Sequence, residues 1–371
     1  MQISSLLQLL ASRNGSDLFL SSGVAPCLKI NGETLHLKHE PMNSEDMRAM
    51  AYSLMNERQQ ASFEETMEMN LAVGLKDVGR FRVNIYRQRG DIALVARYIK
   101  SDIPTLASLN LPKILEDLIM TPRGLILVVG STGSGKSTTL ASMIDYRNEH
   151  RAGHILTIEE PIEFIHRHKQ SVVDQREIGI DTRDYSSALK NAMREAPDVI
   201  MIGEIRDRET MQHAIAYAET GHLCLSTLHA NNANQTLERI INFFPDTARA
   251  ALLIDLSLNL RAVISQRLVR TVDNKYVPAM EILLLTAYVS DLIAKGEISS
   301  LKEAMKEAAL TGGMVTFDQS LYELYAAGRI SYKAALANAD SQTDLALHIR
   351  LAGPPPAGGD VDATELSLDD S

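Results

Sequence analysis

The chain has no tryptophan, only two cysteines, few aromatic residues and no long hydrophobic run. Each shortage removes a class of function. Cys27 and Cys224 are far apart and form neither a CxxC metal motif nor a disulfide framework, which fits a reducing compartment. Aromatic residues make up 5% of the chain. That is too sparse for the basic, aromatic-bearing groove of a single-strand translocase. A net charge of −10 also argues against a broad nucleic-acid surface, so no nucleic-acid partner is expected. No stretch approaches the roughly 18 apolar residues that a membrane span needs. The start lacks a basic segment, and Ile3, Leu6, Leu7 and Leu10 share one helical face. It reads as an amphipathic helix rather than a signal peptide, and the expected location is cytoplasmic. Basic residues are also missing from 351–371, where Asp360, Asp362, Glu365, Asp369 and Asp370 follow Pro354-Pro355-Pro356. That composition cannot bury a core and predicts a disordered acidic tail.

What is present centres on Gly130-Ser131-Thr132-Gly133-Ser134-Gly135-Lys136-Ser137-Thr138, directly after the apolar run 125–129. The pattern G-x-x-x-x-G-K-[ST] fits at every fixed position, in a strand-loop-helix context. Glycines let the loop curl so that its amides point inward at phosphate oxygens. The following helix aims its positive end at the same charge. Lys136 is placed for the β- and γ-phosphates of a nucleoside triphosphate, and Ser137 for its Mg²⁺.

Around this loop the chain reads as two domains. In the first, residues 16–30 form two strands, Asn31-Gly32 a hairpin turn, and 45–60 a helix. In 79–86, Phe81, Val83 and Ile85 face one way and Arg80, Arg82, Asn84 and Tyr86 the other. A last strand, 91–100, contains Arg97. This is a compact α+β domain over 1–100, with a linker over 101–110. In the second, apolar runs at 125–129, 155–158, 199–202 and 223–228 alternate with amphipathic stretches, which predicts an α/β fold with a mostly parallel sheet. Both faces of that sheet should be covered. The pattern from 248 to about 351 is mostly helical. The expected domain limits are 111–285 for the α/β core and 286–350 for a helical C-terminal region.

Ligands of such sheets sit at the carboxyl ends of the strands. There the sequence carries Glu159-Glu160-Pro161-Ile162-Glu163, then Gly203-Glu204-Ile205-Arg206-Asp207, then His229. Glu204 holds the place of a Walker B acid, although Gly203 stands where many P-loop enzymes carry aspartate. A carboxylate here can orient or deprotonate the attacking water. His222 is different: over a straight strand it lies about 23 Å from His229, at ~3.3 Å per residue. It is left to a subunit boundary or to packing. His150, His154, His166 and His168 match no common metal-ligand spacing and are expected at the surface.

These boxes, with Gly221-His222 and Phe243-Phe244-Pro245, resemble those of the secretion-superfamily ATPases. From about residue 3 to 345 the chain resembles the type IV pilus retraction (twitching motility) ATPases of the PilT/PilU type. The resemblance implies an N-terminal PAS-like domain, a RecA-like P-loop ATPase core, ATP and Mg²⁺ as cofactors, and a homo-hexamer. It implies pilus depolymerisation through an inner-membrane platform protein, from the cytoplasmic face of the inner membrane. It makes Glu163 the catalytic glutamate and Glu204 a Walker B residue near Mg²⁺. Glu159, Glu160 and Arg206 fall in the family's acid boxes, and His222 and His229 in its histidine box. Arg80, Arg82 and Arg97 match arginines that reach a phosphate from the N-terminal domain. Two departures stand out. The usual Glu-Asp-Pro reads Glu159-Glu160-Pro161 here, and Ser290 and Ala294 stand where the main motor carries arginines. With the acidic tail, the latter favours the accessory, PilU-like branch, which works beside a paralogous retraction ATPase. Pilus-extension or secretion ATPases carry a four-cysteine zinc insertion that two distant cysteines cannot build. A non-catalytic nucleotide-binding adaptor is disfavoured by Lys136, Glu163 and Glu204.

Overall fold

The computed structural model describes residues 2–310 and 313–352. Two compact units account for the described residues. One comprises the residues up to Ile103 with Pro161–Arg167 and Arg176–Asp184, and the other holds the remaining described residues.

The first unit opens with helix α1 (Ile3–Ser12), which buries Leu6, Leu7 and Leu10. Strands β1 (Asp17–Leu20), β2 (Cys27–Ile30) and β3 (Glu33–His36) follow. Residues 45–60, expected as one helix, are two: α2 (Ser44–Ser53) and α3 (Glu57–Thr66). Asn56 ends the continuity, because its side chain caps the second helix in a reciprocal pair with Gln59. Strands β4 (Glu68–Leu75), β5 (Gly79–Gln88) and β6 (Asp91–Ile99) complete an antiparallel sheet in the order β3-β2-β1-β6-β5-β4. Phe81, Val83 and Ile85 are fully buried in its core, while Arg80 and Arg82 lie on the opposite face.

In the second unit α4 (Ile114–Ile119) leads into β7 (Gly124–Val129), α5 (Lys136–His150) and β8 (Gly153–Glu159). Strand β9 (Ser171–Glu177) begins in this unit and ends in the first. Helix α6 (Tyr185–Ala192), β10 (Val199–Ile202), α7 (Arg208–Glu219), β11 (Leu223–Leu228), α8 (Ala233–Asn242) and α9 (Asp246–Asn259) continue the alternation. The 248–351 stretch then departs from the helical expectation. Strands β12 (Leu260–Arg270) and β13 (Tyr276–Leu284) form a long antiparallel pair. Helices α10 (Ala287–Lys295), α11 (Leu301–Leu310), α12 (Phe317–Ala326), α13 (Tyr332–Asn338) and α14 (Gln342–Ala352) close the fold. The acidic tail expected beyond them lies, from residue 353, outside the described residues.

The seven strands run β13-β12-β7-β11-β10-β8-β9. Pairs β12·β7, β7·β11, β11·β10 and β10·β8 are all parallel. Every residue of β7, β10 and β11 is buried, as strands covered on both faces require. This order places the loop after β7 beside the end of β11, then β10, then β8. The sheet's carboxyl edge is where the chemistry collects.

Candidate active site

The loop after β7 is shaped by contacts that only glycine permits at two points. A Cβ on Gly130 would collide with the Ser134 hydroxyl and the Gln266 carbonyl oxygen. One on Gly135 would lie 2.8 Å from Gln266 Nε2, and Gly135 has φ of +91°. Gln266, on β12, therefore braces the loop from below, and its Oε1 also accepts a buried hydrogen bond from Thr139 Oγ1 at 2.7 Å. Sequence reasoning missed Gln266, because the whole of β12 was expected as helix. The one available signal was a polar pair, Ser265-Gln266, inside an apolar run.

Lys136 opens α5 and folds back on the loop. Its Nζ donates to the carbonyl oxygens of Gly130 at 2.9 Å and Ser131 at 3.0 Å. Burial pushes its pKa down, against the pull of Glu204. The Ser134 hydroxyl is buried without a hydrogen bond. An ammonium held by weak carbonyl acceptors and an orphaned buried hydroxyl fit an anion that would take both. Ser137, exposed in the first turn of α5, and Glu204 offer oxygen donors of the kind Mg²⁺ prefers. Among the described residues no three His, Cys, Asp or Glu side chains group to hold a metal alone. A Mg²⁺ here would share its shell with phosphate oxygens and water, as that ion commonly does.

Next to the loop, a row of polar contacts crosses the strand ends. His229, after β11, has Nε2 at 3.0 Å from Glu204 Oε1. The other oxygen of Glu204 accepts from Arg206 Nε at 2.6 Å. Arg206 Nη1 then donates to Glu160 Oε2 at 2.8 Å. Glu159 is turned inward, accepting from Thr157 Oγ1 at 2.7 Å and Gln175 Nε2 at 3.2 Å. Three strands thus deliver one connected chain of charge, His229–Glu204–Arg206–Glu160. A cleft of about 360 Å³ opens where the loop's Gly130 and Ser131 meet His229, Asn231, Gln235 and Arg239.

His222 lies at the other end of β11. Its Nδ1 is 3.1 Å from Thr220 Oγ1 and 3.2 Å from the Tyr217 carbonyl, so the two histidines are separated by the length of the strand. Of the four histidines expected at the surface, His166 is buried instead. His150 and His168 are exposed and His154 half-buried.

Glu163 and the three arginines belong to the first unit. Glu163 is exposed, on a segment bridged to the end of β6 through Lys100 and Phe164. Arg97 is the register partner of both Arg82 and Asp17, so it shares their face of the sheet. Its Nε donates to Asp17 Oδ1 at 2.8 Å. Arg82 Nε stands 3.8 Å from Glu177 Oε1, and Arg80 Nη2 stands 4.0 Å from Asp181 Oδ2. Both exceed the ~2.7–2.9 Å of a charge-assisted hydrogen bond. Glu177 is buried with neither carboxylate oxygen hydrogen-bonded. Burial pushes its pKa up, against the opposing pull of Arg82. The two guanidinium groups keep donors for a further anion.

Known proteins with this architecture decide the family. The family model described as "Type II/IV secretion system protein" matches residues 57–309. The chain is 51% identical to the type IV pilus ATPase PilU of Pseudomonas aeruginosa, over 99% of this chain and 94% of that protein. The chain belongs to the PilT/PilU family of type IV pilus ATPases. It is 40% identical to the pilus retraction ATPase PilT of the same organism, over 90% of this chain and 97% of PilT. A crystal structure of the pilus retraction motor PilT with bound ADP superposes with a TM-score of 0.87. It shares 38% identity and covers 94% of this chain and 99% of that one. This pilus ATPase therefore has a RecA-like core, and its reaction is ATP hydrolysis.

By the sequence reading, two carboxylates have different roles. If Glu204 shares the Mg²⁺ shell, Glu204→Gln should raise the Mg²⁺ concentration for half-maximal turnover several-fold. Glu163→Gln should lose turnover with no such shift. Mg²⁺ titration of both purified variants checks this, and superimposable curves would contradict it.

Proposed function

We propose that this ATPase is an accessory motor of pilus retraction, working beside a paralogous main motor to depolymerise the pilus and drive twitching. The observation that carries the reading is the row of loop, His229, Glu204, Arg206 and Glu160 along one sheet edge, in a chain more similar to PilU than to PilT. In this reading Mg²⁺·ATP sits on the loop, with Lys136 at the β- and γ-phosphates and Ser137 and Glu204 at the metal. Glu163 orients the attacking water. Arg80, Arg82 and Arg97 reach the phosphates of a neighbouring subunit in a homo-hexamer, where positive charge stabilises the transferred group. The hexamer stands at the cytoplasmic face of the inner membrane, against the platform protein, and acts on no nucleic acid.

The accessory role rests on α10. Ser290 Oγ donates to the Ser257 carbonyl at 2.7 Å, so it ties α10 to α9. Ala294 is exposed and offers no polar group. Neither supplies the bidentate contacts that arginine makes with carboxylates. Turnover without a full grip would add force in series with the paralogue. Deleting this chain from a strain that keeps the paralogue should lower the stall force of single retracting pili while retraction events continue. An unchanged stall force would contradict the reading.

A further inference from the structure

Gly203 occupies the position where a Walker B aspartate is common, and its backbone does not explain the glycine. Its φ lies outside the left-handed region. Its amide donates to the Ile158 carbonyl at 2.8 Å, and its own carbonyl accepts from Thr227 Oγ1 at 2.7 Å. Any residue could make both bonds. What a side chain would meet there is tight packing. A Cβ at Gly203 would lie 3.0 Å from the Tyr185 hydroxyl and 3.2 Å from both Glu159 Cα and the Ile158 carbonyl oxygen. Tyr185, the first residue of α6, has its hydroxyl 3.0 Å from where an aspartate side chain would begin.

That hydroxyl also keeps company with the strand-end charges. Burial pushes its pKa up, as do Glu160, Glu159 and Glu204, against the opposing pull of Arg206. It stays protonated under all ordinary conditions. Among the described residues it makes no hydrogen bond. A tyrosine hydroxyl is both donor and acceptor and usually finds a partner when held among polar groups. The hydroxyl is not among the fully buried unpartnered atoms, so a group arriving with the nucleotide can reach it.

We propose that Tyr185 is a positioning residue for ATP hydrolysis, its hydroxyl standing in for the missing Walker B aspartate by hydrogen-bonding the water shell of the nucleotide-bound divalent cation beside Glu204. This rests on the Mg²⁺·nucleotide reading of the site. The hydroxyl, unlike the carboxylate it replaces, adds direction without charge. Its removal should weaken the hold on the cation and leave the phosphate cradle intact.

The test measures fluorescent ADP binding to the purified full chain with and without Mg²⁺, together with turnover. Tyr185→Phe keeps the ring and should melt like the wild type. Its Mg²⁺-free ADP affinity should stay within about twofold. The tightening of ADP by Mg²⁺ should fall about tenfold, and kcat/KM for Mg²⁺·ATP should fall at least as far, as one lost oriented hydrogen bond predicts. Glu204→Gln separates the two ideas. If it leaves the Mg²⁺ dependence of ADP binding untouched, the metal assignment fails. If Glu204→Gln shifts that dependence and Tyr185→Phe does not, the role given to Tyr185 is overturned. Gly203→Ala provides a second check, because its Cβ would press on the hydroxyl. Its loss of Mg²⁺-dependent ADP affinity should be smaller in the Tyr185→Phe background than in the wild type. Equal losses in both backgrounds would also count against the proposal.

Discussion

Lys136→Ala should lower ATP turnover by at least about 100-fold, because hydrolysis on a P-loop is mostly positioning and charge stabilisation of the phosphates. The Lys136 ammonium donates only to two loop carbonyl oxygens, and burial already disfavours its charge. A triphosphate offers it a far better partner. Nucleotide affinity should fall as well, while the fold survives. Steady-state turnover and fluorescent-nucleotide binding on the purified variant check this. Wild-type turnover would sink the assignment of the loop as the catalytic cradle.

The second large effect concerns the arginine face of β5. Arg82→Ala should cut turnover by about 1,000-fold, the lower end of the range known for arginines that act on a transferred phosphoryl group. The mass of the proposed hexamer in solution should be unchanged. The motive is geometric: Arg80 and Arg82 stand at 4.0 and 3.8 Å from their own acids, too far for strong hydrogen bonds. Mixing inactive Arg82→Ala chains with inactive Glu163→Gln chains should recover part of the activity, because mixed rings contain sites with both residues intact. No recovery at any mixing ratio, or full activity of Arg82→Ala alone, would contradict a site completed by two chains.

Much of this was legible before any coordinates. Apolar runs at 125–129, 155–158, 199–202 and 223–228 coincide with β7, β8, β10 and β11, because strands buried on both faces must be continuously apolar. The loop was legible because its chemistry fixes residue types at fixed spacing. Strand β12 was not. Its burial is nearly continuous from Leu260 to Gln266, and such a run cannot be told from a buried helix by periodicity. With β12 went Gln266, whose role depends on a contact with a loop about 130 positions earlier in the chain. The break at Asn56 was hidden for a local reason, since a capping box inside a polar helical stretch leaves the apolar pattern undisturbed. The acids and His229 could be named from the strand ends, but their pairing could not. That Arg206 links Glu204 to Glu160 follows from the order β11-β10-β8, which only the folded sheet reveals.

The account stands most directly on what this chain does to a pilus without its paralogue. The measurement is imaging of labelled pili in cells that lack the main motor and express only this chain. The account predicts that pili extend and rarely retract, and that retraction returns when a catalytically dead but assembling paralogue is added, provided Lys136 is intact. Robust retraction by this chain alone, lost on Lys136→Ala, would contradict it and make the chain a complete motor.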